Sequence, residues 1–133
     1  MHSVRELIQA KPARLITADP QNSVAQAMQI LKSEAVHSVL VIREGALVGI
    51  MTDKDYLRKV VAVGRSAEDL RVEDIMTRSV YTVDIDATLQ HCISLMADHT
   101  LHHLPVFEDG KLKGLVSWTD LMEHILSEGE TPA

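Results

Sequence analysis

Two aspartates, Asp55 and Asp120, each stand three residues after a hydroxyl side chain, Thr52 or Ser117. They close the runs Gly49-Ile50-Met51-Thr52-Asp53-Lys54-Asp55 and Gly114-Leu115-Val116-Ser117-Trp118-Thr119-Asp120. Apolar residues precede each glycine and a helical pattern follows each aspartate, so each run reads as a strand that turns directly into a helix. The first N–H groups of a new helix have no intrahelical partner and carry partial positive charge, so an anion settles there. A hydroxyl at that turn can donate to a phosphate oxygen. A carboxylate three residues on can accept from a sugar diol. The chemistry this suits is the holding of a nucleotide. A plainer reading exists, because a hydroxyl residue followed three positions later by an acid is also a helix cap. Recurrence of the run in one chain is what favours the binding reading.

Other reactive residues lead less far. His99, His102 and His103 would share a helical face if one helix carried them. The repeat described below instead puts them where a helix gives way to a strand, and no cysteine pair or HExxH run accompanies them. No metal site is expected; His102 and His103 are assigned a polar or phosphate-adjacent role. Asp53 with Asp55, and Thr119 with Asp120, are the acid or hydroxyl pairs an enzyme would need. All lie at helix starts, where attraction between charge and helix dipole accounts for them, so no catalytic activity is expected.

The elements that position the two runs come from an internal repeat. At an offset of 65 residues Thr17 matches Thr82, Asp19 matches Asp84, His37 matches His102, Val41 matches Val106, Gly49 matches Gly114 and Asp55 matches Asp120. No gap is needed from Leu15 to Leu57. Ahead of that block the offset is 68, pairing Val4-Arg5-Glu6-Leu7-Ile8 with Val72-Glu73-Asp74-Ile75-Met76, so the first copy has three extra residues around Lys11-Pro12-Ala13-Arg14. The copies span 1–64 and 71–128, Arg65 to Leu70 is a polar linker, and 129–133 forms a tail that frays from Glu128.

Each copy opens with a short amphipathic turn, Val4 to Ile8 or Val72 to Met76, followed by a strand at Leu15–Thr17 or Val80–Val83. A helix follows. Ser23 with Gln26 forms a capping box for the first, ahead of the apolar stripe Val24, Ala27, Met28 and Leu31. Thr88 caps the second, ahead of Leu89, Cys92, Ile93 and Met96, which makes Cys92 a packing residue. A hairpin comes next. Val39–Ile42 and Leu47–Met51 flank a turn at Arg43–Ala46, and Asp109-Gly110 links Leu104–Phe107 to Leu112–Val116. These strands are apolar enough to be buried on both faces. The last helices run from Asp53 to Val63, stopped by Gly64, and from Trp118 to Leu126, stopped near Gly129.

Bulk composition excludes several classes. The chain has 133 residues, 46% of them apolar, and a net charge of −6 from 19 acids and 13 bases. That acidity disfavours nucleic-acid backbones and anionic membranes as partners. Apolar runs such as Val39 to Ile42 are far too short to span a bilayer, and Met1 to Glu6 lacks the core of a signal peptide. A lone cysteine forms no internal disulfide. A soluble cytoplasmic location follows as the expectation. With one Phe, two Tyr and one Trp, the core must be aliphatic.

Two strand-helix-strand-strand-helix units, each ending in Gly-apolar-apolar-Thr/Ser-x-x-Asp, resemble a tandem pair of CBS domains (a Bateman module) over roughly 1–128. The Asp74-Ile75-Met76-Thr77 opening of the second copy is similar to the family as well. The resemblance implies an α+β fold in which two pseudo-twofold-related β-α-β-β-α units pack through their sheets. It also implies regulation by an adenosine nucleotide: AMP, ADP, ATP, NADH or S-adenosylmethionine. Carried over, one site would use Ser117, Thr119 and Asp120 with Ile16, Thr17, Ala18 and His103. Its mate would use Thr52, Lys54 and Asp55 with Tyr81, Thr82 and Val83. His103 and Ser38 stand where the family often has arginine before the Pro-Val strand. Such modules regulate an enzyme, channel or transporter. As a free-standing pair, this chain would act on a separate, unidentified protein or through self-association as a homodimer. The alternative is a non-catalytic interaction or dimerisation module whose ligand sites have degenerated.

Overall fold

Ser23 and Thr88 start the two long helices as their side chains dictate. Ser23 accepts from the Gln26 amide while Gln26 reaches back to the Ser23 amide, and Thr88 accepts from the His91 amide. Around them the computed structural model, which describes residues 3–10 and 15–127, gives twelve elements. In chain order these are α1 (Val4–Ala10), β1 (Thr17–Ala18), α2 (Val24–Glu34), β2 (Ser38–Arg43), β3 (Ala46–Thr52), α3 (Asp53–Tyr56), α4 (Val72–Ile75), β4 (Val83–Asp84), α5 (Leu89–His99), β5 (His103–Glu108), β6 (Lys111–Ser117) and α6 (Trp118–Ser127). The extra residues Lys11–Arg14, the stop at Gly129 and the tail lie outside the described residues.

The strands form two three-stranded sheets of mixed α/β architecture, ordered β1-β2-β3 and β4-β5-β6. In each, the short first strand lies parallel to the second, with Thr17 opposite Leu40 and Val83 opposite Val106. The second and third strands form a hairpin. Both hairpin turns place two consecutive residues at positive φ, Glu44 with Gly45 and Asp109 with Gly110, which matches the twist of the flanking strands.

Three expectations shift. The first strands are two residues long and begin later than Leu15 and Val80, because ladder pairing starts only opposite Leu40 and Val106. Residues 53–63 do not form one α-helix. After α3 the chain widens into a π-helical turn at Leu57–Val61, with the Ala62 amide bonded to the Leu57 carbonyl at 2.9 Å. Val60 is buried there while Leu57, Val61 and Val63 face water. Finally, burial on both faces holds for Ser38 to Val41 but not for the first half of β3.

The chain divides into two compact units, one of residues 16–80 and one combining 1–15 with 81–133. The packing boundary therefore differs from the repeat boundary. The opening helix of the first repeat, α1, belongs to the unit built on the second repeat's sheet. Val4 and Leu7 are buried there with Val83, Leu104, Val106 and Val116. Conversely α4 belongs to the unit of the first repeat's sheet, where Val72, Ile75 and Met76 are buried with Val39, Val41 and Met51. Burying each of these aliphatic side chains stabilises by about 1.5–3 kcal/mol, enough to hold helices too short to persist alone.

The motif glycines are explained by the same docking. A Cβ on Gly49 would sit 2.6 Å from the Met76 sulfur and 2.9 Å from the Thr77 carbonyl. A Cβ on Gly114 would collide with Ile8.

Candidate functional site

In the unit of residues 16–80, Thr52 ends β3 in an extended conformation and caps α3. The Asp55 amide donates to Thr52 Oγ1 at 3.3 Å, and the Thr52 amide donates back to Asp55 Oδ2 at 3.0 Å. Two further donors come from outside the turn. Thr77 Oγ1 donates to Asp55 Oδ1 at 3.2 Å, and Lys59 Nζ lies 3.0 Å from the same oxygen. Asp55 is only 7% exposed. Its carboxylate is thus enclosed by donors of its own unit. Lys54 points into solvent, and Asp53 pairs with His37 Nδ1 at 3.0 Å.

The other unit repeats the turn with a different finish. Ser117 ends β6 opposite His103, and its Oγ accepts from the Asp120 amide at 3.0 Å. The Trp118 amide donates to the His102 carbonyl at 2.8 Å, which fixes the step from sheet to helix. Asp120 is half-buried, Thr119 is exposed and His103 is half-buried. Asp120 borders a cleft of about 260 Å³ between α1 and α6, lined also by Leu7, Ala10, Glu123, His124 and Ser127. At the repeat offset His124 occupies the place of Lys59.

First-strand residues sit with their own repeat's turn. Ile16, Thr17 and Ala18 lie in the unit of Thr52, Lys54 and Asp55, because β1 pairs with β2; the Leu40 amide donates to the Ile16 carbonyl at 3.0 Å. Tyr81, Thr82 and Val83 lie in the unit of Ser117, Thr119, Asp120 and His103. Thr17, Tyr81 and Thr82 are exposed, Ile16 is half-buried, and Ala18 and Val83 are core residues. The Tyr81 ring stacks on His99, centroids 4.1 Å apart.

Sequence reasoning missed Lys59 and Thr77 as partners of Asp55. The i, i+4 spacing of Asp55 and Lys59 was a readable signal; Thr77, 22 residues away, left none. Of the histidines, His99 closes α5 and His103 opens β5, so the two share no helical face. Among the described residues no three metal-ligating side chains gather. Cys92 is fully buried, and desolvation pushes its thiol up to about 11. No helix among the described residues is long and apolar enough to cross a membrane.

Comparison with known proteins agrees with this architecture. The sequence model of the CBS domain matches residues 4–62 and 72–127. The chain is 33% identical to the mitochondrial CBS domain-containing protein CBSX3 of Arabidopsis thaliana over 112 residues, which is 80% of this chain and 54% of that protein. It thus spans about half the length of that relative. It is 27% identical to the CBS domain-containing protein YhcV of Bacillus subtilis, covering 96% of this chain and 88% of that one. The solved structure of a candidate signal-transduction protein with CBS domains from Burkholderia ambifaria superposes with a TM-score of 0.92 at 33% identity over 98% of both chains. Two CBS segments, two sheets of the same topology and these relatives together place the chain in the CBS-domain family.

Proposed function

We propose that this chain is a non-catalytic regulatory module that binds an adenosine nucleotide at the β6–α6 turn and passes the binding event to a partner protein or a second copy. One observation carries the reading. Asp120 is half-buried at the rim of a cleft, with Ser117 and Thr119 beside it at a helix start, whereas its counterpart Asp55 is enclosed. In this role the hydroxyls of Ser117 and Thr119 bind phosphate at the positive end of α6. Asp120 accepts from the ribose diol; His103 stands opposite Ser117, and Tyr81, Thr82 and Val83 belong to the same unit. The turn with Thr52, Lys54 and Asp55, in the unit that also holds Ile16, Thr17 and Ala18, is the weaker counterpart.

A thermal-shift screen with AMP, ADP, ATP, NADH and S-adenosylmethionine tests the reading. A ligand at a hundred times its dissociation constant stabilises by about 2.7 kcal/mol. No shift with any of the five, each at millimolar concentration, defeats it. A second reading, that of an interaction module with degenerate sites, has its own support. Leu57, Val61, Val63 and Leu126 are all more than half exposed. A silent ligand screen together with a stable oligomer would favour it.

A further inference from the structure

We propose that a charge-reversed pair of salt bridges, Arg5 with Glu108 and Glu73 with Arg43, selects which opening helix docks on which sheet. The amides that open the two helices cannot make that choice, because they dock through equivalent bonds; the backbones differ only afterwards, where Thr77 bridges to Ile50 while the equivalent Gln9 is still within α1. The Val4 amide donates to the Ala87 carbonyl at 2.9 Å and the Arg5 amide to the Ile85 carbonyl at 2.8 Å. At the equivalent places the Val72 amide donates to the Asn22 carbonyl at 2.8 Å and the Glu73 amide to the Pro20 carbonyl at 3.1 Å. The buried apolar faces are alike too, Val4 and Leu7 against Val72 and Ile75. Either helix would satisfy either sheet on these terms.

The side chains at the second helical position are what differ. Arg5 donates to Glu108 Oε2 at 2.8 Å and to Asp86 Oδ1 at 3.0 Å. Glu73 stands at the same position of α4 and accepts from Arg43 at 2.8 Å and from Gln21 at 3.1 Å. Glu108 and Arg43 are the last residues of equivalent strands, and Asp86 and Gln21 are equivalent as well. If each helix docked on its own repeat's sheet, Arg5 would meet Arg43, and Glu73 would meet both Glu108 and Asp86. The observed arrangement turns three like-charge contacts into attractive or neutral ones. One charge favours the alternative: Arg71, which bonds to Gln21, would find Asp86 there. Specificity of this kind comes from repulsion in the wrong pairing as much as from attraction in the right one.

Cross-linking in a Cys92→Ala background reads the choice. Ser3 and Thr88 form an antiparallel bridge, within disulfide reach, so Ser3→Cys with Thr88→Cys reports the observed docking. Ser23 is the counterpart of Thr88, so Ser3→Cys with Ser23→Cys reports the alternative. Arg5→Glu with Glu73→Arg should lower the ratio of 3–88 to 3–23 cross-link about tenfold, and adding Glu108→Arg with Arg43→Glu should restore most of it. An unchanged ratio overturns the proposal, and so does failure of the restoring pair. If the exchanged chain does not fold, thermal melting of Arg5→Glu, Glu108→Arg and their combination decides. The double variant should melt above either single one, and strictly additive losses overturn the proposal.

Discussion

Lys59 closes on Asp55 across one helical turn, Nζ to Oδ1 at 3.0 Å, and the same ammonium donates to the Ile75 carbonyl at 2.7 Å. With Thr77 Oγ1 on the same oxygen, this makes Asp55 the tie between the β3–α3 turn and the segment that follows α4. The motif carboxylate of this unit therefore does structural work.

Asp55→Ala should lower stability by about 2–4 kcal/mol, because it strands a capped amide and a paired ammonium. The lower half of that range is expected, since the Lys59 side chain is 44% exposed and water can take over its charge. Urea titration checks this; a midpoint equal to wild type would remove the tie from the account.

Asp120→Ala should instead act on ligand binding. Losing charge-assisted bonds to a ribose diol costs about 1.5–3 kcal/mol, or roughly 10- to 150-fold in affinity. Asp55→Ala should weaken binding less. Trp118 is 38% exposed within the same turn, so its fluorescence should follow the titration. Isothermal titration with AMP and ATP decides: equal affinity for wild type and Asp120→Ala, with an earlier melt, would assign Asp120 to capping alone.

Cys92 should resist thiol reagents in the folded protein at pH 8 and react only on unfolding. Burial raises its thiol from an ordinary 9.0 to about 11, so the native side chain stays protonated while the unfolded one ionises first. The sign follows: stability falls as pH rises from about 9 toward 11. Rapid labelling of native protein at pH 8 would contradict this.

A homodimer is expected through the helices. Leu57, Val61, Val63, Met122 and Leu126 leave apolar surface in water. Light scattering at micromolar concentration should exceed the monomer mass of 14.7 kDa; the monomer value would count against self-association.

Zinc should be absent in stoichiometric amount from protein purified without a histidine tag. One tightly held zinc per chain by elemental analysis would reverse the reading of His99, His102 and His103.

By itself the sequence determined the caps and tight turns, which depend on neighbours along the chain, though not the π-helical turn at Leu57–Val61. The capping box of Ser23 and Gln26, the Thr88 cap and the Asp109-Gly110 turn each close over a few residues, so residue type alone sets them. The 65-residue repeat added the order of elements and the two motif turns, because like residues at equal spacing favour like turns, although the helices that follow differ. Tertiary structure decided what depends on partners distant in the chain. Arg5 finds Asp86 and Glu108, Asp55 finds Thr77, and Tyr81 finds His99 only once helices have docked on sheets. Repetition hid the outcome: two helices with like apolar faces and equivalent opening backbone bonds read as suited to either of two like sheets. Only long-range packing, in which side-chain charges meet, shows that α1 and α4 are exchanged between the repeats.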